Sequence, residues 1–296
     1  MCQIFGLNSA RPVAPHEPLR GFLCRGGGTG DHKDGWGIAY YADGTHHLNV
    51  QKTSAFNCSR AQAFLGRSIR TRNLIAHVRK ATFGSVELVN SHPFSRKLWG
   101  YDWVFAHNAD LHDFRPQVDP RFRPNGETDS EAAFGLLLTE LVAAFGDTRP
   151  ELDELAREIR RVAADISAHG TFNFLLTVGD VMFAHGSTNL HWTQQIDEPR
   201  PRRARLVDCD QWLDDTVYAG APLVMVATQP ITDGHDWQRL VKNELAVFVG
   251  GYSTQATWPW PGPGTGATRL LARSETTCWK CSAKATPSEE RYIAIG

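Results

Sequence analysis

The sequence has 296 residues, 42% hydrophobic and 21% charged, with a formal net charge of −1. This is globular composition in a chain long enough to bury a substantial core, and it excludes fibrous and disordered classes. Near-neutral charge offers no broad basic field for nucleic acid or an anionic membrane; the one basic run, Arg200, Arg202, Arg203 and Arg205, reads as a solvated Pro-rich loop.

No apolar stretch approaches the roughly 20 residues needed to cross a bilayer. The first residues lack the basic start and apolar block of a signal peptide. The six cysteines (Cys2, Cys24, Cys58, Cys209, Cys278, Cys281) are scattered, unlike a disulfide framework. The expectation is a reducing, cytoplasmic protein with no membrane and no nucleic-acid partner.

In chain order, the first feature is chemical. The chain begins Met1-Cys2, so removal of the initiator Met would put a thiol and a free α-amine on one residue. An α-amine has a pKa of about 7.7–8.0, so part of it is unprotonated at neutral pH and can serve the adjacent nucleophile as a base. The bland reading is a buried, inert cysteine.

Apolar runs rich in β-branched and aromatic residues then predict strands at 36–41, 74–78, 103–106, 172–178, 181–184, 223–227 and 246–249. A weaker helical pattern covers 60–69. Phe134, Leu137, Leu138, Leu141 and Phe145 repeat at helical spacing, and Thr128 followed by Glu131 forms a capping-box signature for the start. Leu152, Leu155, Ile159, Val162 and Ile166 form a second helical stripe, with Gly170 placed to stop it. Strands in runs with helices grouped between them indicate an α+β class. Beyond Tyr252 the chain passes through Trp258-Pro259-Trp260-Pro261 into a Ser/Thr/Ala-rich segment, so a folded domain is expected over 2–250 and a poorly structured tail over 251–296.

Short polar motifs punctuate these runs: Arg25-Gly26-Gly27-Gly28-Thr29-Gly30, Lys33-Asp34-Gly35-Trp36-Gly37, Ala76-His77-Val78-Arg79-Lys80-Ala81-Thr82, Ser91-His92-Pro93-Phe94, Phe105-Ala106-His107-Asn108-Ala109 and Gly126-Glu127-Thr128-Asp129-Ser130-Glu131. In this order behind Cys2, the chain resembles the class-II, N-terminal nucleophile glutamine amidotransferases, and within them the stand-alone YafJ-like subgroup. The similarity continues through Ser187-Thr188-Asn189-Leu190-His191-Trp192 and Ala227-Thr228-Gln229-Pro230. It implies a four-layer αββα sandwich and hydrolysis of the γ-amide of glutamine, or of a γ-glutamyl compound, through a thioester.

The resemblance also implies roles. Cys2 would be the nucleophile, with its own amine as base. Asn108 would donate its side-chain amide to the oxyanion, and the backbone N–H of residue 109 would be the second donor. The family has Asn-Gly there and this chain has Asn108-Ala109. If that position needs positive φ, a Cβ costs about 1–2 kcal/mol. Arg79 would hold the substrate α-carboxylate through a planar fork, with Thr82 assisting. Asp129 would pair with the substrate ammonium, although a first-turn carboxylate is favoured by the helix dipole in any case. Arg25 would orient the site. The glycines after it lack the Lys-Ser/Thr helix start of a phosphate cradle, and a loop covering the pocket accounts for them equally well.

No cofactor and no metal are expected. His77, His92 and His107 do not have the spacing of a standard zinc site and read as structural histidines, and Cys278-Trp279-Lys280-Cys281 is half a zinc ribbon without its second pair. With no synthase domain following, the expectation is either a free-standing hydrolase or a subunit delivering ammonia to a separate synthase. The alternative from another class is a catalytically impaired glutamine- or γ-glutamyl-binding, regulatory subunit, for which Ala109 is the best argument.

Overall fold

The computed structural model describes residues 1–82, 84–108, 110–195, 203–214 and 221–254. The described residues all fall in one compact unit. The chain runs through β1 (Gln3–Val13), α1 (His16–Cys24), β2 (Trp36–Ala42), β3 (Thr45–Gln51), α2 (Ser59–Leu65) and β4 (Thr71–Val78). It continues with β5 (Phe94–Leu98), β6 (Tyr101–Asn108), α3 (Asp129–Phe145), α4 (Leu152–Ser167), β7 (Asn173–Val178) and β8 (Val181–Gly186). The remainder is strand: β9 (His191–Gln195), β10 (Arg203–Leu206), β11 (Trp212–Asp214), β12 (Leu223–Ala227), β13 (Thr232–Asp233), β14 (Gln238–Arg239), β15 (Glu244–Val249) and β16 (Tyr252–Ser253).

Among the described residues these strands form three sheets, in the orders β14-β9-β12-β1-β4-β2-β3, β16-β15-β8-β7-β6-β5 and β11-β10-β13. The pairings are antiparallel, so the class is mixed α and β built on antiparallel sheets.

Alternation along the strands decides what each face covers. Ile4, Ile75, Val224 and Val226 of the seven-stranded sheet pack against Val104, Leu175, Met182 and Phe248 of the six-stranded sheet. The opposite face of the seven-stranded sheet (Phe5, Leu7, Ile38, Leu74, Met225) buries Leu19, Phe22 and Leu23 of α1 and Phe64 of α2. The opposite face of the six-stranded sheet (Trp103, Phe105, Phe174, Leu176, Phe183) buries the apolar stripes of α3 and α4. A fully buried Leu, Ile or Phe stabilises by about 1.5–3 kcal/mol. The two sheets approach closely because residue 6 is glycine: a Cβ there would lie 2.9 Å from the tips of both Leu175 and Met182.

The strands expected from sequence correspond to β2, β4, β6, β7, β8, β12 and β15, and the helical patterns to α2, α3 and α4. The helix expected over 60–69 ends at Leu65. Only half of the capping box forms. Thr128 Oγ1 accepts from Glu131 N at 3.2 Å, while the Glu131 carboxylate turns to Gly126 N (2.8 Å) and Arg96 Nη2 (2.5 Å). Sequence reading missed β1 and α1. In β1, Gly6, Asn8, Ser9 and Pro12 interrupt the apolar run that marks the other strands, and α1 carries Pro18 and Gly21. Gly21 lets α1 pack closely on Leu206, whose Cδ2 would lie 2.9 Å from a Cβ there.

Tyr252–Ser253, on the tail side of the expected boundary at 250, pair with β15. Residues 255–296, with Cys278 and Cys281, lie outside the described residues, as does Ala109.

Candidate active site

β1 is a central strand of its sheet, with Gln3 opposite Val78 of β4 and Phe5 opposite Ala227 of β12. Antiparallel pairing therefore brings Cys2, Arg79–Lys80 and Thr228–Gln229 to the same sheet end. β6 of the facing sheet ends there too, at Asn108, because Asn108 pairs with Asn173 at the start of β7.

The two sheets meet at Cys2. The Asn108 side-chain N–H₂ donates to the Cys2 carbonyl and lies 3.5 Å from Thr228 Oγ1. Thr228 Oγ1 itself accepts from Ile4 N at 2.9 Å. On its other side, Asn108 Oδ1 lies 3.5 Å from Asn173 Nδ2, and the Asn173 Oδ1 accepts from Ser187 N (2.8 Å) and Thr188 N (2.9 Å). A buried amide gripped on both sides is a fixed, oriented dipole.

The Cys2 thiol contacts the Lys80 carbonyl at 3.4 Å. Burial pushes this thiol up and Asp110 adds to the rise; the Lys80 contact, the chain-terminal ammonium and Arg79 act against them. A thiol held protonated needs a base in contact with it before it can attack.

Arg79 is buried and donates from Nη1 to Ser85 O (3.0 Å) and from Nη2 to Gly84 O (3.3 Å), tying down the loop that follows β4. Its backbone pairs with Gly35 and Asp34, and Asp34 Oδ2 accepts from Ala81 N at 2.9 Å. Thr82 Oγ1 donates to Asp110 Oδ1 at 2.5 Å. Asp129 is the first residue of α3. Its Oδ2 accepts from Leu111 N (2.8 Å) and its Oδ1 from Ser130 N (2.8 Å). Thr82, Asp110, Leu111 and Asp129 thus form a connected chain along one wall. Gly170 packs against that wall, where a Cβ would fall 2.3 Å from Asp110 O.

Arg25 behaves as a strut. Nε donates to Asp208 Oδ2 at 2.5 Å, Nη1 to Gln3 Oε1 and Gln229 O at 2.9 Å each, and Nη2 to Pro230 O at 2.6 Å. Thr29 Oγ1 adds a 2.9 Å bond to Asp208 Oδ1. The guanidinium fixes the residue next to Cys2 and the segment after β12, and the glycine loop is anchored to the same carboxylate.

His107 hydrogen-bonds Ser130 Oγ (2.9 Å) and Thr171 O (3.2 Å), while the His92 and His77 rings meet at a tilt of 51° with centroids 4.2 Å apart. Among the described residues no group of three His, Cys, Asp or Glu is arranged to hold a metal ion.

Sequence reading named Cys2, Arg25, Arg79, Thr82, Asn108, Ala109 and Asp129, and among these the structure brings Cys2 and Asn108 into direct contact. It missed Asp110, Asn173, Asp208 and Thr228. Thr228 lay inside a recognised motif but had no assigned role. Asp208 carried no local signal, because its partner is 183 residues away.

The thiol at the second position thus has an amide donor seated on its own residue and a buried arginine beside it. The family model described as glutamine amidotransferases class-II matches residues 1–267. Among relatives, "Putative glutamine amidotransferase YafJ" of Escherichia coli strain K12 is 35% identical over 254 residues, covering 85% of this chain and 98% of its own. "Putative glutamine amidotransferase" of Haemophilus influenzae is 35% identical over 253 residues, covering 85% of each. The crystal structure of a predicted glutamine amidotransferase from Pseudomonas aeruginosa PA01 aligns with a TM-score of 0.64 at 32% identity, over 85% of this chain and 99% of that one. The chain belongs to the class-II glutamine amidotransferases.

Proposed function

We propose that the protein hydrolyses the γ-amide of glutamine, or of a γ-glutamyl compound, through a thioester on Cys2. The observation that carries this reading is the Asn108 amide seated against Cys2, at the point where both sheets end. The layering of helices and sheets is read as the αββα sandwich of N-terminal nucleophile hydrolases.

In this mechanism Met1 is removed and the Cys2 α-amine takes the thiol proton. The thiolate attacks the γ-carbonyl carbon, and the Asn108 amide, with the backbone N–H at 109, stabilises the oxyanion. Collapse breaks the C–N bond, and the terminal ammonium returns its proton to the leaving amine or ammonia. Water then hydrolyses the γ-glutamyl thioester to glutamate and the free thiol. Arg79 grips the substrate α-carboxylate, exchanging its bonds to Gly84 and Ser85 for that ligand. Thr82 assists, and Asp129 receives the ammonium. The chain would act in the cytoplasm, either as a free-standing hydrolase or as a subunit delivering ammonia to a separate synthase. No helix among the described residues is long and apolar enough to cross a membrane.

The test uses Met-processed protein with glutamine and a panel of γ-glutamyl amides, with glutamate release as the readout. A diazo-ketone glutamine analogue should alkylate Cys2. Cys58 is the informative control. Burial raises its thiol, but N–H donors of Ala61 and Arg60, with Trp36 and Thr53, outweigh that and hold it below the ordinary value. Labelling driven by thiol reactivity would therefore favour Cys58, and labelling driven by substrate recognition favours Cys2. Glutamate binding without turnover of any panel member would move the assignment to a binding or regulatory subunit.

A further inference from the structure

His32 is buried and its ring lies between two carbonyl oxygens: Nε2 is 2.9 Å from Met1 O, and Nδ1 is 3.2 Å from Arg25 O. Its seat is shaped by the glycine loop. Gly27 N donates to Gly30 O at 3.1 Å, and a Cβ at Gly30 would fall 2.8 Å from His32 Nδ1. Both neighbours are acceptors only, whereas a neutral imidazole has one N–H. Burial above all, with the terminal ammonium and Lys80, lowers the His32 pKa despite its two carbonyl contacts, so the ring stays neutral at neutral pH and satisfies one carbonyl at a time.

Removal of Met1 resolves this conflict, because the Met1 carbonyl leaves with its residue. The Cys2 nitrogen was bonded to the same carbonyl carbon, about 1.3 Å away. It therefore becomes the group nearest the vacated position. With Nδ1–H donated to Arg25 O, Nε2 presents a lone pair to that position.

We propose that His32 is a positioning residue for the Cys2 α-amine: after Met1 is gone, Nε2 accepts one amine N–H, directly or across the water that replaces the Met1 oxygen, and turns the amine lone pair onto the Cys2 thiol. When the thiol S–H breaks and the proton passes to the amine, the new ammonium donates to the same nitrogen; His32 itself gains no proton. The inference rests on the reading of Cys2 as an N-terminal nucleophile. The charged and titratable groups facing the amine and thiol are Arg79, Lys80, Asp110 and His32, with Asp31 paired to Lys80 at 3.4 Å.

The experiment compares Met-processed parent, His32→Ala and His32→Gln, each checked for complete Met1 removal by mass spectrometry and for folding by thermal melting. Gln fills the ring's seat and keeps an acceptor oxygen. Two readouts are taken across pH: kcat/KM on the best γ-glutamyl substrate, and the rate of Cys2 alkylation by iodoacetamide resolved at the peptide level. His32→Ala should lower kcat/KM on the order of 10- to 100-fold, the cost of misaligning a reacting group. It should also slow Cys2 alkylation at neutral pH. The acid limb should shift to lower pH, because a bond that favours the ammonium has been removed. His32→Gln should recover most of both effects.

Equal losses in Ala and Gln with an unmoved acid limb would reduce His32 to packing and overturn the proposal, as would unchanged Cys2 alkylation in both variants. Alkylation that depends on His32 in a parent without turnover would sink the hydrolase reading and leave this one standing. An active parent indifferent to His32 would do the reverse.

Discussion

Arg25 and Asp208 form an ion pair at 2.5 Å, with side chains only 5% and 15% exposed, that joins the end of α1 to the turn after β10. Breaking a buried pair from one side leaves the other charge uncompensated, which costs about 3 kcal/mol or more. Asp208→Ala should therefore lower Tm by roughly 6–12 °C in a domain of this size. It should also reduce turnover, because Arg25 holds Gln3 beside Cys2. Scanning calorimetry checks the first effect. An unchanged Tm would mean that the other Arg25 partners suffice.

The proposed oxyanion donors can be ranked. Asn108→Ala deletes a donor and should reduce kcat about 10²- to 10³-fold. Ala109→Gly keeps its donor. Any strain it relieves, about 1–2 kcal/mol, raises kcat by no more than about 5- to 30-fold with little change in KM. Rescue of an inactive parent by several orders of magnitude on Ala109→Gly would instead identify a protein that has left catalysis.

Substrate grip is tested by charge and shape. Arg79→Lys keeps the charge but loses the planar fork, and Asp129→Asn removes the charge proposed to receive the ammonium; both should chiefly raise KM. Calorimetric glutamate binding that is unchanged in both variants would remove them from the site.

Buried histidines set an acid limit on stability. Burial is the main reason that His77 and His92 are held well below the ordinary 6.5, whereas in the unfolded chain they titrate near that value. Below pH 6.5 the unfolded state binds protons that the folded state refuses, so stability falls with falling pH, by up to about 1.4 kcal/mol per pH unit for each histidine. The urea midpoint should therefore be lower at pH 5.5 than at pH 7.5. His92→Leu should flatten that dependence; an equal slope in both proteins would assign it to other groups.

Sequence alone determined the features that are local or fixed by order along the chain. The helical stripe from Leu152 to Ile166 is local, because one buried helix face repeats every few residues. The motif series behind Cys2 is ordered, and that order alone carries the family resemblance. Strand β1 escaped because Gly6, Asn8 and Ser9 interrupt the apolar run by which the other buried strands were recognised. The contacts that build the site were decided only by tertiary structure. Asn108 reaches the Cys2 carbonyl, Thr82 reaches Asp110, and Arg25 reaches Asp208, across separations of 106, 28 and 183 residues. Such pairs leave no trace in local pattern. The Cys2 contacts exist because antiparallel register brings the ends of β1, β4 and β12 to one place and the packing of the two sheets brings the end of β6 to meet them.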